Sequence, residues 1–147
     1  MTLLLKKPPI TPGKTAKLFK MKTVDTNYLV RLFTNQPKDM AYQAVQELEQ
    51  CEPGEILLSD FVISELIYVL EFHKELSYKR PDIVEGTRLI LSHPAWKVDS
   101  ELHGLSLTIY ETSQLDYVDC LVIALYRLKR VDDVFTFDKE IRRQLQK

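Results

Sequence analysis

The sequence predicts an α/β fold, with a central parallel sheet and helices on both of its faces. Short apolar runs that are typical of buried strands alternate along the chain with longer stretches of helical apolar spacing. Strands that are separated by helices pair in parallel, and the connecting helices cover the faces of the sheet. The length of 147 residues, with 45% hydrophobic and 28% charged residues, is typical of one globular domain.

Two strands and three helices are predicted for the first half of the folded chain. The Glu52-Pro53-Gly54 cluster ends one helix, and Ser59 or Asp60 caps the next. In order along the chain, we predict a strand over 22–25, a helix from Thr26 that Asn35, Gln36 and Pro37 close, a helix over 38–51, a strand over 56–58 and a helix that follows Ser59 or Asp60.

The second half is predicted to add two strands and four helices. Pro81 suits the first turn of a helix, and Asp116 is placed to cap another. In order along the chain, we predict a helix from Pro81 to about Ser92, a strand over 96–99, a helix over 101–110, a helix over 117–129, a strand over 134–137 and a helix over 138–146.

The N-terminal segment differs from the rest of the chain in charge. Residues 1–22 contain six lysines and no acid, a charge of +6, whereas the other 125 residues contain 14 basic and 21 acidic side chains, a charge of −7. Residues 1–20 also have three prolines and one glycine but no helical or strand periodicity. We therefore predict a basic, flexible arm over 1–20 and one folded domain over 21–147.

Composition excludes several classes of protein. No apolar run approaches the roughly 20 residues that a membrane span needs. The Leu3–Leu5 run is too short for the core of a signal peptide, so we expect a cytoplasmic protein with no membrane partner. Two cysteines, Cys51 and Cys120, make neither a disulfide framework nor a zinc site. The histidines fall at no metal-ligand spacing, and we expect surface or structural roles for His73, His93 and His103.

Five carboxylates occupy positions that suggest a site. Asp25 ends the first predicted strand and Asp138 follows the last, and ligands collect at the carboxyl ends of parallel strands. Glu65 lies within an apolar helical run, where an unpaired ionised carboxylate is costly. Asp116 and Asp119 are three residues apart at the beginning of one helix, whose dipole tolerates anions.

Each of these acids also has a structural explanation. Asp25 and Asp138 could each be the N-cap of a helix. Asp116 and Asp119 could form a variant of the capping box. Glu65 could be an exposed or ion-paired residue at the edge of the apolar face. Together, however, acids that meet on one side of a sheet repel one another unless a cation neutralises them. Ligands that are all oxygen select Mg²⁺ or Mn²⁺, and such sites typically serve phosphate chemistry.

Four strings of the chain resemble the acidic motifs of PIN-domain proteins, in the order of that family. They are Val24–Leu32, Ser64–Glu71, Leu115–Ala124 and Thr136–Asp138, and the resemblance extends from Met21 to the C-terminus. The compact size and the Asp25-Thr26-Asn27 opening are most similar to the VapC-type toxins of type II toxin-antitoxin modules.

The resemblance implies a three-layer α/β/α sandwich and a site for Mg²⁺ or Mn²⁺. By motif position, the catalytic, metal-binding acids would be Asp25, Glu65, Asp119 and Asp138. Supporting roles, in orienting carboxylates or contacting water or RNA, would fall to Asp116, Asn27 and Thr136.

The implied activity is that of a Mg²⁺-dependent endoribonuclease that hydrolyses RNA with an activated water. A toxin of this kind would form a homodimer and would be inhibited by a cognate antitoxin protein. The alternative is a non-catalytic PIN-like module that binds RNA or a protein. RNA would be held by the basic arm or by local basic side chains, for which the candidates are Arg31, Lys79, Arg80, Arg142 and Arg143.

Overall fold

The computed structural model describes residues 20–147, so the predicted arm lies outside the described residues except for Lys20. Three strands and seven helices follow one another within this range. They are β1 (Lys22–Thr23), α1 (Thr26–Thr34), α2 (Lys38–Glu49), β2 (Ile56–Leu57), α3 (Asp60–Phe72), α4 (Arg80–Leu91), β3 (Trp96–Lys97), α5 (Ser100–Thr112), α6 (Tyr117–Arg127) and α7 (Lys139–Leu145). No helix among these residues is both long enough and apolar enough to cross a membrane.

The three strands form one parallel sheet in the order β1-β2-β3. Lys22 pairs with Ile56, and Ile56 pairs with Trp96. Ile56 and Trp96 are 4% and 3% exposed and face the core, whereas Leu57 points to the other side, because successive side chains of a strand alternate. The predicted α/β fold with a central parallel sheet is confirmed.

The apolar core is built mainly from the helices. The apolar side chains of α3 that repeat at helical spacing are fully buried, at Ile63, Leu66, Ile67 and Leu70. Fully buried side chains of the other helices pack with them, among them Leu29, Ile83, Leu107, Tyr110 and Ile123. This packing fixes the helices that carry the candidate acids.

One predicted strand is wrong. Residues 134–137 form no strand in the part of the chain that the structure describes, and Phe135 and Phe137 are 98% and 99% exposed. Only Val134 and Thr136 turn partly inward, so the segment is extended but has no strand beside it. It is held instead by Arg142, whose Nε and Nη2 donate to the Thr136 carbonyl at 3.0 and 2.7 Å. A short apolar run does not reveal whether a partner strand is within reach.

Candidate active site

The first acid, Asp25, caps helix α1. Its Oδ1 accepts a hydrogen bond from the backbone N–H of Tyr28 at 2.9 Å. The structural explanation for Asp25 is therefore correct, and it is compatible with a functional one. A carboxylate has about four acceptor positions, so capping leaves most of its capacity free, and the side chain is exposed to solvent.

The second acid, Glu65, accepts a hydrogen bond from the residue that follows the first acid. Thr26, the first residue of α1, donates from Oγ1 to Oε2 of Glu65 on α3 at 2.6 Å. This bond links the first two acidic motifs, which lie 39 residues apart in sequence. Thr26 is a site residue that the sequence analysis missed, although a hydroxyl residue directly after a candidate ligand is a usable signal.

A second group contains Asp116, Asp119 and Asp138. Asp116 occupies the N-cap position of α6, but its side chain makes no capping hydrogen bond, so the capping-box explanation is wrong. Asp119 is half-buried in the first turn of α6. Burial raises the pKa of Asp119, and the negative charges of Asp116 and Asp138 raise that pKa further. Asp119 therefore lies close enough to both of these carboxylates for their charges to act on it.

Asp138 reaches this group from the N-cap of α7. Its Oδ1 accepts from the backbone N–H of Ile141 at 2.9 Å, and its own backbone N–H donates to Oγ1 of Thr136 at 3.0 Å. Thr136 thus holds the backbone of Asp138. Asn27, the other predicted supporting residue, lines a cleft beside Asp25.

A cleft of about 170 Å³ lies between α3 and α6, beside the second group of acids. Ser64, which precedes Glu65, lines the α3 side together with Tyr68, and Asp116 and Asp119 line the α6 side. As the side chains stand, no three Asp, Glu, His or Cys residues within 20–147 converge closely enough to hold a metal ion. The donors are nevertheless all carboxylates, a set that suits a hard divalent cation. Such an ion would offset the repulsion around Asp119.

The comparison with protein families decides the identity of the fold. The family model of the PIN domain matches residues 22–144, most of the chain. The chain belongs to the PIN-domain family. PIN domains are generally nucleases that act on RNA, and they typically use divalent metal ions. No curated protein and no solved structure is significantly similar to the chain.

Arg80 holds the loop that leads into the third acidic motif of this PIN domain. Its Nη1 donates to the carbonyls of Tyr110, Ser113 and Leu115 at 3.0, 3.1 and 2.7 Å. Its Nε donates to Glu71 at 3.1 Å, and Glu71 also accepts from the Tyr110 hydroxyl. The Arg80 side chain is only 14% exposed, so its predicted role as an RNA contact is wrong. Arg80 instead stabilises the conformation of the loop that precedes Asp116.

His103 fixes the first turn of α6 from the other side. The imidazole is fully buried, with Nε2 at 2.6 Å from Oδ1 of Asp60 and Nδ1 at 2.7 Å from the hydroxyl of Tyr117. The predicted structural role is confirmed for His103. Burial raises the pKa of the Tyr117 hydroxyl far above its usual value, so this group stays protonated beside the acids.

Proposed function

We propose that this PIN domain is a Mg²⁺-dependent endoribonuclease that hydrolyses RNA phosphodiester bonds. The observation that carries the proposal is that Asp116 and Asp119 line an open cleft, where burial and the charges of Asp116 and Asp138 raise the pKa of Asp119. Such an arrangement costs stability, and proteins keep a costly arrangement of charge mainly where activity requires it. The Thr26 bond to Glu65 supports the same conclusion, because it orients a second carboxylate from a distant part of the chain.

The four motif acids, Asp25, Glu65, Asp119 and Asp138, would hold the ion, and Mn²⁺ would suit the same oxygen donors. When bound, the ion activates water and offsets charge at the scissile phosphate. Asp116 would contact water or RNA, while Asn27 and Thr136 would orient the groups around them. Burial holds the pKa of Tyr110 and of Tyr117 far above the usual value, so neither offers a phenolate nucleophile. The proposed reaction uses water as the nucleophile and requires no side-chain nucleophile.

We further propose that the enzyme is the toxin of a toxin-antitoxin pair and forms a homodimer. The Asp25-Thr26-Asn27 opening and the compact domain support this assignment. Large apolar side chains on the outside of α3 supply a surface for a second copy or an antitoxin, since Phe61, Tyr68 and Phe72 are 77%, 62% and 52% exposed. Light scattering of the purified protein tests the dimer. Co-purification with the product of the adjacent gene tests the antitoxin.

Incubation with a panel of mixed RNAs, in Mg²⁺ and in EDTA, tests the nuclease. We expect cleavage that EDTA abolishes and that Asp25→Asn and Asp119→Asn each reduce at least about 100-fold. Asparagine caps a helix about as well as aspartate, so the fold of the Asp25 variant is expected to survive. Asp82→Asn, which changes an exposed acid in the first turn of α4, is the matched control and should leave the rate unchanged.

The same panel distinguishes the alternative function. If no RNA is cleaved and calorimetry detects no Mg²⁺ binding, the domain is a non-catalytic module that binds RNA or protein. An Asp119→Asn variant that cleaves as fast as the parent would show that the acids are wrongly assigned.

A further inference from the structure

The structure distinguishes among the five basic side chains that were candidates for holding RNA. Arg80 is turned into the protein, where it binds backbone carbonyls. Arg142 is engaged with the Thr136 carbonyl, and Arg143 forms an ion pair with Glu140 at 2.6 Å. Lys79 precedes α4 and lines neither of the two clefts described here. Arg31 differs from the other four, because it lies in a cleft that contains a candidate metal ligand.

The guanidinium of Arg31 is almost unused by the protein. Its one hydrogen bond within residues 20–147 runs from Nη1 to the Gln36 carbonyl at 3.3 Å, and its buried Nε has no acceptor there. No ion pair among these residues includes it. A guanidinium carries five N–H donors in a planar fork, so Arg31 keeps most of its capacity to bind an anion.

The cleft that contains Arg31 lies between α1 and α2 and has a volume of about 210 Å³. Its polar lining comprises Asp25, Asn27, Tyr28, Arg31, Gln43 and Glu47. The Tyr28 hydroxyl donates to the Ala44 carbonyl at 3.0 Å and to Glu47 at 3.3 Å, which holds the two helices together. Asp25 lines this cleft and is also one of the candidate metal-binding acids, so the cleft and the proposed site share a residue.

We propose that Arg31 binds a phosphate of the RNA substrate that neighbours the scissile phosphate. This inference rests on the proposed nuclease function. The acids repel RNA, so a substrate that approaches Asp25 needs a cation nearby, and Arg31 supplies one in the same cleft. The paired N–H groups of a guanidinium match two phosphate oxygens, whereas a lysine offers only a point charge.

Steady-state cleavage of a fluorogenic single-stranded 12-nucleotide RNA in Mg²⁺, at a series of KCl concentrations, tests the proposal. For Arg31→Ala we expect a KM roughly 10-fold higher and a kcat within about twofold of the parent, because binding is lost away from the reacting atoms. The plot of log(kcat/KM) against log[KCl] should become shallower by about 0.7, the loss of one phosphate contact with a single strand.

Two further variants make the test specific. Arg31→Lys should keep the salt dependence but raise KM a few-fold, because the charge remains and the fork is lost. Arg88→Ala, which removes an exposed arginine of α4 that donates to Thr108 and was no candidate for RNA contact, should match the parent in both quantities. Circular dichroism melting checks that each variant is folded.

The outcomes separate the two proposals. If the parent cleaves RNA and Arg31→Ala has an unchanged KM and salt dependence, the proposed phosphate contact of Arg31 is refuted. The proposed nuclease activity is then unaffected. A raised KM with an unchanged salt dependence refutes the phosphate contact as well, because the loss is then not that of a charge contact. A parent protein that cleaves no RNA overturns the nuclease and the subsite with it.

Discussion

The two groups of acids in this PIN domain differ in how the protein holds them. Asp25 and Glu65 each accept a hydrogen bond, from the Tyr28 N–H and from the Thr26 hydroxyl. Asp116 makes no capping bond, and Asp119 is partly buried beside two other negative charges. The first group is therefore stabilised by the fold itself. In the second group, burial and repulsion oppose the charge, so this group has the most to gain from a bound cation.

Removing Arg80 should have the largest effect, because it holds the loop that leads to the second group. Arg80→Ala leaves Glu71 and several carbonyls without their partner in a nearly buried site. We expect a loss of about 3 kcal/mol, or a fall in Tm of roughly 6–12 °C. Urea and thermal unfolding measure it. Arg143→Ala, an exposed arginine in an ion pair, should change stability by less than about 0.5 kcal/mol. If the two variants lost equal amounts of unfolding free energy, the proposed role of Arg80 in holding the loop would be refuted.

The Thr26 hydroxyl gives a test confined to the first group. Thr26→Val keeps the shape of the side chain but removes the donor to Glu65. We expect Mn²⁺ affinity to fall about 10- to 100-fold, as is typical when a residue that orients a ligand is lost. The unfolding free energy should fall by no more than about 1 kcal/mol, because this hydrogen bond is exposed. Calorimetric titration measures the affinity. Thr26→Ser should retain it, and a Ser variant as weak as Val would refute the hydrogen-bond explanation.

A pair of alanine variants compares the two N-caps directly. Asp25→Ala removes a capping hydrogen bond of 2.9 Å and should cost about 1 kcal/mol in metal-free buffer. Asp116→Ala removes a side chain that caps nothing and whose charge opposes that of Asp119, so it should cost no stability. Urea unfolding of both variants measures the difference. A larger loss for Asp116 than for Asp25 would contradict the contrast between the groups.

The smallest expected effect is a gain in stability. Because the folded pKa of Asp119 is raised above its unfolded value, ionisation of Asp119 favours the unfolded state. This penalty is complete above the folded pKa and disappears as the pH falls below the unfolded pKa. Asp119→Asn should therefore be more stable than the parent at pH 7.5 without metal, by about 0.5 kcal/mol, the scale of partly exposed charge pairs. Thermal unfolding across pH 3–8 should show the gain vanish in acid.

Local signals made much of the fold predictable. The helix that begins at Thr26 and the caps at Asp25, Ser59 and Asp138 follow from residue types within a few positions of each other. The parallel sheet follows from the alternation of strands and helices. The strand predicted over 134–137 failed because pairing requires a neighbouring strand, and no local pattern specifies one.

The site was less predictable than the fold. The positions of the acids in the sequence pointed to a site, but the division into two groups depends on distances between helices. The Thr26–Glu65 bond and the Arg80 contacts join residues 39 and up to 35 positions apart. Arg80 stands next to a helix-starting proline, a place that suggests an exposed charge, and only the fold turns it inward.

The buried histidine gives this PIN domain an internal spectroscopic reporter. A carboxylate can only accept, so Nε2 of His103 carries a proton toward Asp60, and this N–H is shielded from water. Its exchange with solvent should be slow enough for its proton resonance to be observed. Nδ1 is bonded to Tyr117, which stands between Asp116 and Asp119 in the chain. Occupation of the acidic site by a cation should therefore shift the resonance of a ring that the cation does not touch.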